Sequence, residues 1–294
     1  MEQKRVVALV RALRPTHWIK NVFVLAPMVF AQQLRDPVAV QRSLQAFGVF
    51  CALSSAVYLI NDIADREADR RHPVKKSRPV AAGTLPVWLA GAVAAVLAGG
   101  GLVWALTLGG EFAAIAATYL IMNLAYSMAL KRVVILDVML VAAGFLLRAW
   151  AGAVVVDVAM SQWLILCTGL VALFLGFVKR RQEIAGARGS EATRPILREY
   201  SPPFLDQMIA VVTSSTVLAY ALYAFDPEVA ERLGTRHMGL TLPFVLFGIF
   251  RYLYLVYQRG EGDNPTALVI SDVPLLLNVV AWAGAVIVAL YVWR

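Results

Sequence analysis

Long apolar segments constrain this chain more than any other feature. Hydrophobic residues make up 60% of its 294 positions and charged residues only 16%, against about 25% charged in a soluble domain. A helix needs roughly 20 apolar residues to cross the hydrocarbon core of a bilayer. Such runs occupy 19–34, 43–63, 86–108, 112–130, 133–154, 161–178, 205–225, 238–257 and 274–293. We therefore expect one integral membrane domain over residues 1–294, an all-α bundle of nine transmembrane helices, and exclude a soluble or disordered protein.

The distribution of basic residues predicts the orientation. Most of the 27 Lys and Arg residues lie in alternate connections between the apolar runs. Basic connections stay in the cytoplasm, so the N-terminus is expected inside and, after nine crossings, the C-terminus outside. The cytoplasmic parts would be an N-terminal segment, 1–18, and two longer loops, 64–85 and 179–204. This predicts a multi-pass protein of the plasma (inner) membrane, with no feature that points to nucleic acid.

An acidic pattern follows the second run directly. If that helix continues past residue 62, then Asp62, Asp65 and Asp69 fall within about 60° of arc on one face. Crowded carboxylates repel one another, and a divalent cation removes the repulsion. Oxygen ligands suit Mg²⁺, which leaves coordination positions open for phosphate oxygens. We expect Asn61 and the three aspartates to be metal ligands.

Two basic side chains, Lys75 and Arg78, follow closely in the same loop and could bind the same phosphates. The alternative is a helix end with solvated charges, in which Asp62 pairs with Arg66 and Asp69 pairs near Arg70. Against it, Asn61 and Asp62 adjoin an apolar run at headgroup depth, where polar groups are costly and usually functional.

Two further helix ends carry polar groups in the same predicted compartment. The sixth run ends in a basic stretch, and the fourth ends in a tyrosine and a lysine. These candidates are Lys179, Arg180, Glu183, Arg198 and Tyr200 for the first set, and Tyr126 and Lys131 for the second. We expect the three helix ends to meet at one cytoplasmic mouth. A simple i, i+4 surface pair is the alternative for Lys179 and Glu183.

The motif Asn61-Asp62-x-x-Asp65-x-x-x-Asp69 resembles the first aspartate-rich motif of the UbiA-type intramembrane prenyltransferase superfamily. Tyr126 and Lys131 are similar to the Tyr/Lys pair of its fourth helix. The resemblance implies nine helices and Mg²⁺ on an isoprenoid diphosphate. A second aspartate pair is usual after the sixth helix, but this chain has Lys179-Arg180-Arg181-Gln182-Glu183 there instead.

That departure matches the decaprenyl-phosphate phosphoribosyltransferase-like branch, which the chain resembles over roughly residues 11–280. The matching motifs are Arg14-Pro15-Thr16-His17-Trp18-Ile19-Lys20-Asn21, His72-Pro73, Ser77-Arg78-Pro79, Leu136-Asp137-Val138, Gly144-Phe145-Leu146-Leu147-Arg148-Ala149, Lys179-Arg180-x-x-Glu183, Tyr200 and Asn264-Pro265-Thr266 leading to Asp272. The resemblance implies transfer of 5-phosphoribose from phosphoribosyl diphosphate to a polyprenyl (decaprenyl) phosphate, for an arabinose donor of the cell wall. It also implies an assembly that is sometimes trimeric.

The resemblance and the charge pattern together suggest a role for each residue. Asp62 and Asp65 are the candidate catalytic residues, holding Mg²⁺ on the diphosphate. The leaving diphosphate would be supported by Lys75, Arg78, Tyr126 and Lys131. The sugar or acceptor phosphate would be held by Lys179, Arg180 and Arg198, with Glu183 and Tyr200 on ribose hydroxyls. Lys20, Asn21 and Arg148 are further candidate substrate-binding residues.

The position of Arg148 stays open between two alternatives. It lies roughly 22 Å along its run by helical rise, so it either reaches outward toward Asp157 or is brought inward by a broken fifth helix. Two alternative functions are a prenyltransferase acting on an aromatic acceptor, which would require the missing aspartates, and a transporter. The chain lacks paired half-repeats and a charged midplane, which disfavours a transporter.

Overall fold

The computed structural model describes residues 2–72, 74–186, 195–261 and 265–293. Two positions of the resemblance, Pro73 and Asn264, and the middle of the predicted 179–204 loop lie outside the described residues. Every regular element within them is helical, which confirms the all-α class.

Thirteen α-helices and five 3₁₀ segments make up the described chain. The α-helices are α1 (Glu2–Leu13), α2 (Ala26–Phe30), α3 (Pro37–Ala64), α4 (Arg66–Arg71), α5 (Val87–Thr107), α6 (Gly110–Met128), α7 (Leu136–Val155), α8 (Gln162–Gly186), α9 (Pro202–Phe225), α10 (Pro227–Leu233), α11 (Leu242–Tyr257), α12 (Pro265–Ser271) and α13 (Val273–Tyr291). The 3₁₀ segments are Pro15–Val24, Lys75–Ser77, Leu130–Arg132, Pro195–Arg198 and His237–Thr241.

Seven helical segments of the described chain are long and apolar enough to cross a membrane. They correspond to α3, α5, α7, α8, α9, α11 with its preceding 3₁₀ segment, and α13. The 19-residue α6, which contains Glu111 and Asn123, covers the predicted run 112–130 without being among the seven. Membrane helices of the predicted kind are therefore present, while the count of nine stays a prediction.

The first predicted run, 19–34, does not form a single helix, so that expectation was wrong. The chain forms the 3₁₀ segment Pro15–Val24, then the five-residue α2, then turns. Pro15 stands at the start of the 3₁₀ segment and Pro27 at the start of α2. Proline lacks a backbone donor and favours the first turn of a helix, so the chain starts a new segment at each of these residues.

By spatial proximity the chain divides into two compact units. Unit 1 contains the described residues of Met1–Pro27, Asp36–Leu130 and Leu147–Ala159. Its central element is α3, which packs against α5, α6 and the segment Pro15–Val24. The Phe50 ring of α3 lies edge-on to Phe112 and Tyr119 of α6, with ring centroids 6.2 and 5.1 Å apart.

Unit 2 contains Met28–Arg35, Lys131–Leu146 and the described residues from Met160 onward. Its closest helix pair is α8 with α9, and α11 packs on α13. One buried cluster surrounds Phe174, Phe177, Leu205 and Leu255. The prediction of a single domain over 1–294 stays a prediction.

Candidate active site

A cavity of about 310 Å³ opens in unit 1 at the end of α3. Its walls come from α1 and the segment after it, the last turn of α3, and the loop after α4. The lining residues are Arg11, Arg14, His17, Asp62, Ser77, Arg78 and Pro79. All but the proline are polar or charged, so the cavity suits a charged group rather than an apolar chain.

Asp62 is the acidic centre of this cavity. Its side chain is 1% exposed, and Oδ1 accepts hydrogen bonds from Arg14 Nη2 at 2.5 Å and Arg78 Nη1 at 3.3 Å. Burying a carboxylate costs several kcal/mol unless cations compensate it, and the two guanidinium groups supply that compensation. Asp62 is thus paired with residues 48 and 16 positions away, rather than with Arg66 as the solvated-end alternative held.

Arg78 joins two of the predicted metal ligands. Its Nη1 also donates to Asp69 Oδ2 at 2.7 Å, and Asp69 is buried. The expectation that one helix continues through all three aspartates was wrong, because α3 ends at Ala64 and Asp65 separates it from α4. Acidic residues in the first turn of α4, Glu67 and Asp69, favour a new helix start there.

Two oxygens beside this ion-pair cluster lack protein partners. Asn61 Oδ1 and Asp62 Oδ2 are buried, and neither accepts a hydrogen bond within the described part of the chain. Buried acceptors without a donor are costly, and binding an ion or a water is one way to satisfy them. Amide and carboxylate oxygens are the ligands that Mg²⁺ takes, so these residues fit the ion that the sequence predicts.

No group of three or more His, Cys, Asp or Glu side chains among the described residues is arranged to hold a metal by itself. Mg²⁺ is usually bound by one or two carboxylates together with substrate phosphates and water. An ion held by Asn61 and Asp62 alone would therefore need further oxygen ligands, such as phosphate or water.

The segment Pro15–Val24 lies along α3 and carries part of the cavity wall. His17 Nδ1 is 3.2 Å from the Tyr58 hydroxyl, and Trp18 Nε1 donates to Ser55 Oγ at 3.0 Å. Arg14, at the start of the segment, has the left-handed backbone angles φ 53° and ψ 60°. For a residue other than glycine this conformation costs energy and is common at functional sites.

Arg148 turns into unit 1 from an unbroken α7, so neither predicted position was right. Its side chain is 6% exposed. Nε donates to Asn21 Oδ1 and Nη2 to the Tyr119 hydroxyl, both at 2.7 Å. The guanidinium also lies 4.7 Å from the centroid of the Tyr119 ring. Asn21 in turn donates to Ser54 Oγ at 3.3 Å, so Arg148 and Asn21 together fix the Pro15–Val24 segment against α3.

A second cluster of predicted residues lies in unit 2. Arg180 is 4% exposed, and its Nε and Nη1 donate to Asp137 Oδ2 at 2.6 Å and Glu183 Oε2 at 2.7 Å. The Tyr200 hydroxyl donates to Asp137 Oδ1 at 2.7 Å and accepts from the Ile135 N–H at 2.6 Å. Burial and the hydrogen bond to the Asp137 carboxylate raise the pKa of Tyr200. Arg180 and Tyr200 thus meet at Asp137, which the sequence singled out only within the motif Leu136-Asp137-Val138.

The other predicted residues lie on several elements. Lys20 and Lys75 are half-buried in the segments Pro15–Val24 and Lys75–Ser77, Tyr126 and Lys131 flank the end of α6, and Lys179 is half-buried on α8. Arg198 is exposed. Their substrate-binding roles, and the shared mouth, stay predictions.

Only Asp62 and Arg78 among the cavity residues were site candidates from the sequence. Arg14, His17, Ser77 and Pro79 entered only as members of the quoted motifs, and Arg11 belongs to none of them. The motif from Arg14 to Asn21 was the available signal, because it places basic and aromatic side chains just before an apolar run.

The chain is similar to known proteins over most of its length. Residues 21–276 match the UbiA prenyltransferase family. Decaprenyl-phosphate phosphoribosyltransferase of Corynebacterium glutamicum is 36% identical over 97% of this chain and 87% of the relative. The enzyme of the same name from Mycolicibacterium smegmatis is 36% identical over 97% of this chain and 93% of its own.

A solved structure also shares the fold. The UbiA homolog from Archaeoglobus fulgidus bound to GPP and Mg²⁺ superposes with a TM-score of 0.73, covering 97% of this chain and all of that one. Its sequence identity is 16%, so the likeness concerns the fold alone.

Proposed function

This chain belongs to the UbiA prenyltransferase family, and on that premise we propose that it transfers 5-phosphoribose from 5-phosphoribosyl 1-diphosphate to a polyprenyl (decaprenyl) phosphate. The names of relatives matched over nearly the whole chain support the reaction. The observation that carries the proposal is the pair of orphaned oxygens on Asn61 and Asp62, at the edge of a cavity with three arginines. A metal-bound diphosphate on a phosphorylated sugar matches both features.

Asn61 and Asp62 hold Mg²⁺ in this proposal, with Asp65 and Asp69 as the further ligands that the sequence predicts. When bound, the ion neutralises the diphosphate as it leaves. Arg78 lies between Asp62 and Asp69 and can turn a guanidinium donor toward the same phosphates. Lys75, Tyr126 and Lys131 remain the predicted supports of the leaving group.

The reaction breaks the bond between C1 of ribose and the diphosphate oxygen, and the electron pair leaves with diphosphate. A phosphate oxygen of the lipid then forms the new bond to C1, which carries oxocarbenium-like positive charge in the transition state. Fixed charges around the leaving group lower this barrier because they need no reorganisation during the step. The acceptor phosphate is already ionised, so no general base is assigned.

The unit 2 cluster takes a supporting role in this scheme. The guanidinium of Arg180 is buried under two carboxylates, and both hydrogen-bonding directions of the Tyr200 hydroxyl are used inside the protein. We assign Arg180, Glu183 and Tyr200 to holding the end of α8 in place. Lys179 and Arg198 remain the proposed ligands of the acceptor phosphate.

A two-substrate assay tests the reaction. Purified protein in mixed micelles receives ribose-labelled phosphoribosyl diphosphate with polyprenyl phosphate, or a labelled prenyl diphosphate with an aromatic acceptor. Label passing from the sugar donor into the butanol-soluble lipid, with loss of transfer when EDTA removes Mg²⁺, supports the proposal. Transfer from the prenyl diphosphate alone would refute it and indicate an ordinary prenyltransferase.

One pair of variants tests the site. Asp62→Asn keeps the size of the side chain and removes its charge, so we expect transfer to fall at least about 100-fold. Glu67→Gln is the matched control, since Glu67 is exposed and its ion pairs are with Arg66 and Arg70. Equal activity of the two variants would remove Asp62 from the mechanism.

In an organism with a cell-wall arabinan, the product would serve as the precursor of its arabinose donor.

A further inference from the structure

The cavity has more cationic groups than the metal site requires. Arg78 is paired with Asp62 and Asp69, and Arg14 is paired with Asp62. Arg11 also lines the cavity and is exposed, and its side chain makes no ion pair or hydrogen bond with any residue that the structure describes. Three guanidinium groups therefore face two carboxylates, which leaves net positive charge on the side of the N-terminal segment.

Arg14 has donors to spare beyond its ion pair. It uses Nη2 on Asp62 and lies with its guanidinium carbon 4.8 Å from the Tyr58 ring centroid. A guanidinium has five N–H donors in a rigid fork, so the remaining ones can bind a further anion. Ser77 lines the same cavity. Its hydroxyl, which donates to the Val74 carbonyl at 2.9 Å, can rotate to donate to an anion instead.

We propose that Arg11 and Arg14, with His17 and Ser77, form a subsite for the 5-phosphate of the sugar donor and so select a doubly phosphorylated donor. This inference rests on the proposed function. The donor is phosphorylated at two positions, with a diphosphate on C1 and a monophosphate on C5, and the metal accounts for only the diphosphate. A prenyl diphosphate is phosphorylated at one end only and gains nothing from these side chains.

The cavity fits a sugar phosphate better than the lipid acceptor. Pro79 is the one apolar residue among the seven that line it, so an isoprenoid chain would find little apolar wall. Its volume of about 310 Å³ is at the small end of the range of about 300–1,000 Å³ for ligand pockets. The acceptor phosphate must also approach C1 rather than the far end of the ribose.

Inhibition constants for two fragments of the donor test the subsite. Ribose 5-phosphate carries only the monophosphate, and Mg²⁺-diphosphate only the leaving group. In Arg11→Gln we expect the inhibition constant of ribose 5-phosphate to rise about 10- to 100-fold, the value of one charge-assisted hydrogen bond. That of diphosphate should stay within about threefold. Arg5→Gln, on the same helix and outside the cavity lining, is the matched control.

Other outcomes overturn the subsite. Equal losses for the two fragments would mean that Arg11 serves the diphosphate, and no loss would mean that it binds neither. Arg11→Lys restores the charge without the fork, and partial recovery of ribose 5-phosphate affinity separates binding from misfolding.

A binding measurement separates this inference from the proposed function. Protection of the wild type against thermal unfolding by ribose 5-phosphate needs no transfer. If protection is lost in Arg11→Gln while the wild type labels no lipid, the subsite stands and the reaction fails. If the wild type labels lipid and both proteins are protected equally, the reaction stands and the subsite fails.

Discussion

At the scale of single residues, the buried ion pair between Asp137 and Arg180 in unit 2 allows the contribution of a buried charge pair to stability to be tested. Asp137 is fully buried and accepts from both Arg180 and Tyr200. We expect Asp137→Asn to destabilise the protein by about 3–5 kcal/mol, because it removes a carboxylate that compensates the buried Arg180 guanidinium. Thermal unfolding in detergent measures the loss.

A double variant is the control for this prediction. Asp137→Asn combined with Arg180→Gln removes both charges, and we expect it to recover much of the stability. If the double variant is as unstable as the sum of the single ones, the pair does not act as a unit.

Charged residues that are close along the chain could be related to one another from the sequence, but distant partners could not. Asp62 and Arg78 could be related because only 16 residues separate them. The contact of Arg14 with Asp62 spans 48 residues and that of Arg180 with Asp137 spans 43. Such pairs depend on which helices pack together, and periodicity in one sequence gives no register between helices.

At the scale of elements, the apolar runs predicted the helices well where no proline interrupts them. The run 86–108 became α5 (Val87–Thr107) and 274–293 became α13 (Val273–Tyr291). The run 19–34 did not form the single helix that its hydrophobicity predicted, because hydrophobicity indicates burial or lipid contact and not helical hydrogen bonding. Its buried Asn21 finds partners on α3 and α7 instead.

Gly152 of α7 tests the packing of the Pro15–Val24 segment. A Cβ on this residue would overlap the carbonyl oxygen of Val24 and lie 3.1 Å from Pro27 Cδ. We expect Gly152→Ala to cost about 1–3 kcal/mol of stability by overpacking and to weaken donor binding, because the segment carries Arg14. The apparent unfolding temperature and the KM for the donor measure these effects.

Gly100→Ala is the matched control for that variant. A Cβ on Gly100, in α5, meets nothing within 4 Å, so helix propensity alone predicts unchanged or slightly higher stability. Equal destabilisation by both substitutions would show that contact with the segment is not the cause.

Asp272 links α11 to the start of α13 in unit 2, and its ion pair predicts that the stability of the protein depends on pH. Its carboxylate accepts from Arg251 Nη2 at 2.8 Å and from the Leu275 N–H at 2.9 Å, at the start of α13. The hydrogen bonds from Arg251 lower the pKa of Asp272. Because the pKa of Asp272 is lower in the folded protein than its unfolded value of about 3.9, the ionised carboxylate stabilises the fold above that pH. This stabilisation is lost as the pH falls through the pKa of the folded state.

Asp272→Asn should therefore be less stable than the wild type at pH 7, and the difference should shrink as the pH falls below about 4. Unfolding temperatures between pH 7 and pH 3 measure it. A difference that stays constant across this range would show that Asp272 does not titrate in the folded protein at a lowered pKa.

At the scale of the whole molecule, the path of the chain beside α3 bears on its orientation in the membrane. Arg14 contacts Asp62, His17 contacts Tyr58, and Asn21 contacts Ser54, so this segment runs antiparallel to α3. The helix α3 begins at Pro37, about 38 Å from Asp62 at 1.5 Å per residue. The chain must travel that length between Arg14 and Pro37.

If α3 crosses the bilayer, residues 14–36 therefore cross it as well, although they form no single helix. With α5, α6, α7, α8, α9, α11 and α13 this gives an odd number of crossings, and the basic connections then place the C-terminus outside. We expect a fluorescent protein to be dark and alkaline phosphatase active when fused after residue 294. Fused after Gln258, the same reporters should give the reverse result. A fluorescent fusion after residue 294 together with active alkaline phosphatase after Gln258 would mean that residues 14–36 return to the side on which they started.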